Sequence, residues 1–136
     1  MTMVFKETKQ IDQKNLIALY EDVGWYAYTK DINQLEQALL NSLYVLSAWE
    51  EENLVGLIRV VGDGLTILYI QDILVLNRHQ NQGIATELLN QVLEKFEEVR
   101  QKVLLTEEAS NVRHFYEKHG FHSCDRGTLV AFAKLT

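Results

Sequence analysis

Three residues stand where their type and spacing could do chemistry: Gly83 in a polar turn, Asp72 inside an apolar strand, and Tyr116 near the C-terminus. Gly83 belongs to Gln80-Asn81-Gln82-Gly83-Ile84-Ala85-Thr86, which follows the apolar run Tyr69–Leu76 and precedes the helical pattern Glu87–Glu98. A helix that opens on such a turn offers unpaired backbone N–H groups and the positive end of its dipole, so it can hold a phosphate. Gly83 has no Cβ, and a phosphate oxygen can therefore approach the amides to hydrogen-bonding distance. The first chemistry to consider is recognition of a phosphate-bearing ligand.

Two phosphate cradles fit poorly. A P-loop needs a lysine after its second glycine, and none follows Gly83; a dinucleotide fingerprint needs three glycines where only one stands. The turn does match Gln/Arg-x-x-Gly-x-Gly/Ala, read as Gln80-Asn81-Gln82-Gly83-Ile84-Ala85. In this it resembles the acyl-CoA signature of the GNAT superfamily of N-acetyltransferases. A second segment, Phe115-Tyr116-Glu117-Lys118-His119-Gly120-Phe121, resembles the family's helix-end motif. Each motif alone has an ordinary structural explanation, a strand-to-helix turn or a core aromatic. The two in this order, with a strand between them, favour the family.

The resemblance implies acetyl transfer from acetyl-CoA, as co-substrate and with no metal, to a primary amine of a small molecule by direct attack in a ternary complex. It assigns the pyrophosphate to the turn (Gln80, Asn81, Gln82, Gly83, Ile84, Ala85, Thr86). It assigns polarisation of the thioester carbonyl to a backbone amide among Leu74, Val75 and Leu76, and protonation of the departing thiolate to Tyr116. Asp72 is the candidate base or ammonium ligand, since a carboxylate in an apolar strand is costly unless paired or cleft-exposed. A structural pairing with Arg59 is the equal alternative. Polyamine-acetylating relatives carry Glu-Asp here, whereas this chain has Gln71-Asp72. Asn77 replaces a frequent proline, and Ala109 an asparagine that contacts the pantetheine arm in relatives.

Acceptor specificity is expected from the N-terminal third, where Tyr20, Trp25, Tyr26 and Tyr28 crowd between two short helices, with Tyr69 as a further cleft residue. Trp25, Tyr26 and Tyr69 are the substrate-binding candidates, although core packing accounts equally well for any single aromatic. The segments Leu19–Trp25 and Ser47–Trp49 also resemble a branch that includes plant and cyanobacterial serotonin N-acetyltransferase-like proteins. Two other functions remain open: a non-catalytic acyl-CoA-binding regulatory module, and acetylation of a protein N-terminus or lysine.

These residues must be positioned by a fold, and the periodicity supplies one. Strands are expected at Thr2–Thr8, Leu43–Trp49, Leu54–Val61, Leu65–Leu76, Lys102–Thr106, Phe121–Asp125 and Thr128–Leu135. Helical spacing marks Leu16–Val23, Ile32–Leu39, Ile84–Phe96 and Ala109–His119. The implied architecture is α/β: one GNAT-like domain over residues 1–136, with a mixed, mainly antiparallel sheet of about seven strands flanked by helices and splayed between strands four and five.

Composition adds exclusions. With 136 residues, 47% apolar and 24% charged, the chain can bury one core and is not of disordered composition. A net charge of −6 argues against nucleic acid, and no apolar run is long enough to span a membrane. With no apolar leader and a single cysteine, Cys124, a cytoplasmic location is expected, and Cys124 is read as a small core residue. His114 and His119 stand about 140° apart around a helix, so they do not suggest a metal site. A homodimer is compatible with all of this.

Overall fold

The computed structural model describes residues 2–136 and separates into two compact units, the chain up to Leu104 and Leu105–Thr136. In the first unit the order is β1 (Val4–Glu7), α1 (Gln13–Asp22), α2 (Tyr26–Thr29), α3 (Ile32–Leu40), β2 (Tyr44–Glu50), β3 (Asn53–Gly62), β4 (Ile67–Val75), α4 (Ile84–Lys95) and β5 (Gln101–Leu104). The five strands lie side by side in chain order. The first three pairings are antiparallel and β4–β5 is parallel. Parallel strands need a long crossover, and α4 provides it.

The register of β3 against β4 matters most for the site. Arg59 faces Asp72 but Val60 faces Ile70, so Gln71 is an extra residue, a bulge in β4. Directly opposed residues share a face of the sheet. Leu57, Arg59 and Val61 therefore share one face with Leu74, Asp72 and Tyr69, while Gly56, Ile58 and Val60 share the other with Val75, Ile73 and Ile70. Helix α1 covers the first face, since Tyr20 bonds Asp72 there. Helix α4 covers the second, where Ile84 lies against Gly56 and Phe96 against Tyr44.

The elements form for local reasons. Asp12 caps α1 by accepting the Asn15 N–H, and Asp31 caps α3 by accepting that of Gln34. Ile84, Leu88, Leu89 and Val92 form the buried stripe of α4. Asp63 accepts three successive backbone N–H groups, from Leu65, Thr66 and Ile67, and closes the β3–β4 link; these bonds hold its carboxyl far below the usual range.

The second unit contains α5 (Ser110–Glu117) and a short 3-10 turn at Cys124–Arg126. The sheet has five strands rather than seven: the expected strands at Phe121–Asp125 and Thr128–Leu135 do not form. Cys124, expected in the core, is exposed. The reason is physical. Alternating apolar residues make a segment competent to be a strand, but a strand exists only once a neighbour supplies its backbone partners. Arg113 takes up Ser123 and Asp125 instead, and holds the 121–126 region as a turn.

Candidate active site

The end of β4 and the start of α4 form one braced turn. The Leu76 N–H donates to the Val55 carbonyl, which pins the end of the strand to β3. A 3-10 turn follows at Asn77–His79. The Asn77 N–H donates to the Asp22 carboxylate and its side-chain amide donates to the Asp22 carbonyl, both at 2.7 Å. Asn77, where relatives often have proline, thus ties the turn to the end of α1. The Gln80 amide donates to the Val75 carbonyl and to Asn77 Oδ1, each at 3.1 Å. His79 is buried with its Nε2 3.3 Å from a Glu50 carboxylate oxygen.

What this bracing leaves free is the first turn of α4. Gly83 is the N-cap residue, at φ +84°, and no side chain caps the helix. The N–H groups of Ile84, Ala85 and Thr86 are the orphan donors of that first turn. A Cβ on Gly83 would meet nothing within 4 Å, so space stands open in front of them. Gly56 is a residue the sequence gave no reason to single out. A Cβ there would lie 3.2 Å from Ile84 and 3.3 Å from the Leu74 carbonyl, so its absence lets α4 seat its first turn on the sheet.

Past Ile70, β4 has no strand partner on its β5 side among the described residues. Antiparallel pairs alternate between hydrogen-bonded and open. Because Leu76 bonds Val55, the Leu74 N–H also turns toward β3, and the Val75 peptide turns outward to the free edge. The Val75 carbonyl accepts from Gln80, consistent with that direction. Of the three candidate amides, Leu74 and Leu76 are therefore committed to the sheet and Val75 alone is presented.

On the α1 face lies a buried polar cluster. Asp72, 2% exposed, accepts from Tyr20 at 2.9 Å, Tyr28 at 2.6 Å and Arg59 Nε at 2.7 Å. Tyr28 in turn accepts from the Gln71 amide at 3.0 Å, so the bulge residue joins the cluster. Burial, and then the Asp72 charge, raise the tyrosine hydroxyls above their ordinary value, well above it for Tyr20. Both therefore stay protonated donors at neutral pH.

Trp25 reaches this cluster through the end of α1. The Gly24 N–H bonds Glu21 and the Trp25 N–H bonds Tyr20, a Schellman closure that folds Trp25 back to 6.1 Å from the Tyr20 ring and 6.2 Å from that of Tyr28. Trp25 and Tyr26 are exposed. Tyr69 shares Asp72's face only because of the Gln71 bulge; without it, a separation of three would put the two on opposite faces.

In the second unit, Tyr116 is buried between Phe115 and Phe121, with ring centroids 5.1 Å and 5.7 Å away. Burial pushes its hydroxyl up to about 12. Of the expected surface histidines, His114 and His122 are exposed, while His119 is half-buried with Nδ1 2.7 Å from the Phe115 carbonyl. Among the described residues there is no group of three or more His, Cys, Asp or Glu able to hold a metal. No described helix is long and apolar enough to cross a membrane.

A strand-turn-helix with an uncapped glycine start and an outward amide at the strand end is the arrangement the acyl-CoA motif implies. The family profile described as "Acetyltransferase (GNAT) domain" matches residues 17–135. The chain belongs to the GNAT acetyltransferase family. A solved GNAT family acetyltransferase from Streptococcus pneumoniae is similar at 32% identity, with a TM-score of 0.88 over 99% of this chain and 98% of that one. A curated Gibberella zeae protein, named provisionally as an acetyltransferase, is 29% identical over 120 aligned residues, 71% of this chain; the chain spans 66% of that relative's length. The PaiA N-acetyltransferase of Thermoplasma acidophilum, solved in complex with coenzyme A, shares the fold at a TM-score of 0.70 and 15% identity, covering 90% of this chain and 91% of that one. GNAT members use acetyl-CoA, and the turn at Gly83 fits an anion of its kind.

Proposed function

We propose that this GNAT protein transfers the acetyl group of acetyl-CoA to a primary amine of a small molecule, by direct attack in a ternary complex. The observation that carries the reading is the first turn of α4: free amides behind an open Gly83, held in place by Asn77 and Gln80 rather than left to be organised on binding. Preorganised donors need no reordering when charge arrives. In this reading the amides of Gly83–Thr86 take the pyrophosphate, with Asn81 and Gln82 flanking it. The Val75 N–H is the donor available to a thioester oxygen, and Gln80 orients that peptide.

Acetyl-CoA, when bound, supplies an activated acyl thioester. Tyr116 is the proposed acid, because its buried phenol keeps its proton throughout the neutral range. Asp72 already accepts three hydrogen bonds, so we assign it to holding Tyr28 and Tyr20 in place rather than to taking the proton itself. Tyr28, with Trp25, Tyr26 and Tyr69, then forms the acceptor side. An aromatic, carboxylate-backed wall suits a cationic or aromatic amine.

The test is thiol release from acetyl-CoA against polyamines, arylalkylamines, amino acids and a lysine peptide, with wild type and Tyr116→Phe. Turnover with a small amine, lowered roughly 10²-fold or more in kcat by the substitution, is the expected result. Preference for the lysine peptide would move the reading to a protein acetyltransferase. CoA binding without turnover of any amine would move it to a regulatory module.

A further inference from the structure

The last nine residues have the composition of an inner strand and no strand to pair with. From Thr128 to Thr136 no residue enters a helix or sheet. Leu129, Val130, Phe132 and Leu135 are 71%, 72%, 93% and 84% exposed. Along an extended chain Leu129, Ala131, Ala133 and Leu135 fall on one side and Val130 and Phe132 on the other. Apolar residues on both sides mark a strand made to be covered on both faces. Such a segment left bare in water is an aggregation hazard unless it has a defined partner.

The sheet offers a place for it. Strand β5 pairs only with β4, so its outer backbone groups are unpaired among the described strands. The opposite edge, β1, is blunted by charge: it carries Lys6 and Glu7, the latter paired with Lys95. At β5, by contrast, Val103 and Leu104 are half-buried, and the Lys102 ammonium is taken up by the Val99 carbonyl.

We propose that Thr128–Leu135 adds as a strand to the β5 edge of a second copy of this chain, each copy giving its arm to the other in a two-fold dimer. Exchange of an identical element is a low-cost route to a dimer, because any edge that suits the arm is present on every copy. The chain between α5 and the arm, residues 118–127, can span at most roughly 33 Å. It begins its departure at Gly120, φ +91°. The area is also sufficient. Covering the four large apolar side chains hides on the order of 500 Å² per arm, and two arms with the surfaces they cover reach the roughly 1,600 Å² of a stable interface.

The experiment combines light scattering during size exclusion with hydrogen exchange, on the full chain from 1 to 100 µM. The expected result is twice the chain mass, with the amides of 129–134 and 101–104 becoming protected together as concentration rises. Val130→Asp/Phe132→Asp should yield a folded monomer with unprotected arm amides; Phe132→Ser serves as a milder variant should that one misfold. A wild-type monomer at 100 µM would overturn the proposal. So would arm protection independent of concentration, which means docking on its own chain, or a dimer that survives both variants.

Discussion

A carboxylate has about four lone-pair positions, and three of those on Asp72 are occupied by Arg59, Tyr20 and Tyr28. Removing Asp72 therefore leaves Arg59 buried and uncompensated. Asp72→Ala should cost about 3–5 kcal/mol of stability in urea titration. Tyr28→Phe removes one donor from the cluster and should cost about 1–3 kcal/mol. Its second effect is diagnostic: if Tyr28 forms the acceptor wall, the substitution raises KM for the amine while leaving that for acetyl-CoA unchanged. An equal rise in both would make the cluster structural only. Arg59 was foreseeable as a partner for Asp72, because a charge in an apolar strand demands one. The two tyrosines were not assigned to it, since nothing in their spacing says which face of the sheet they reach.

At the scale of elements, the β4–α4 turn carries the account. Gly83→Ala places a side chain in the left-handed region with no clash, so it should cost only about 1–2 kcal/mol of backbone strain. The added methyl stands where an anion must approach, and CoA affinity measured by calorimetry should fall tenfold or more. Helix α1 gives a separate check through its cap. The Asn15 bonds hold the Asp12 carboxyl below its ordinary value of 3.8. A depressed folded-state pKa stabilises above the unfolded value and loses that stabilisation as pH falls through the folded one. Asp12→Ala should thus cost about 1 kcal/mol at pH 7, and the gap to wild type should close as the titration is repeated below pH 3.8. The turn itself was legible, because small residues between an apolar strand and an apolar stripe have few other uses. The Gln71 bulge was not, since register is decided by pairing with β3 rather than by β4's own residues.

For the whole molecule, the order of the first five strands and of α1, α3, α4 and α5 was readable from periodicity, while the last two strands were not. Alternation in Thr128–Leu135 shows that the segment can be a strand, but it does not say whose edge it meets. Cys124 was misplaced for the same reason, its assignment to the core having depended on a strand that does not form. The reading of the molecule as an acyl-CoA-dependent enzyme rests on the pyrophosphate being held at the start of α4. The most direct test is calorimetric titration of the wild-type chain with CoA and, separately, with pantetheine, which lacks the pyrophosphate. The account predicts micromolar CoA binding that weakens by roughly 100-fold, about 2.7 kcal/mol, for pantetheine. Equal affinity for the two ligands, or no binding of CoA, would contradict it.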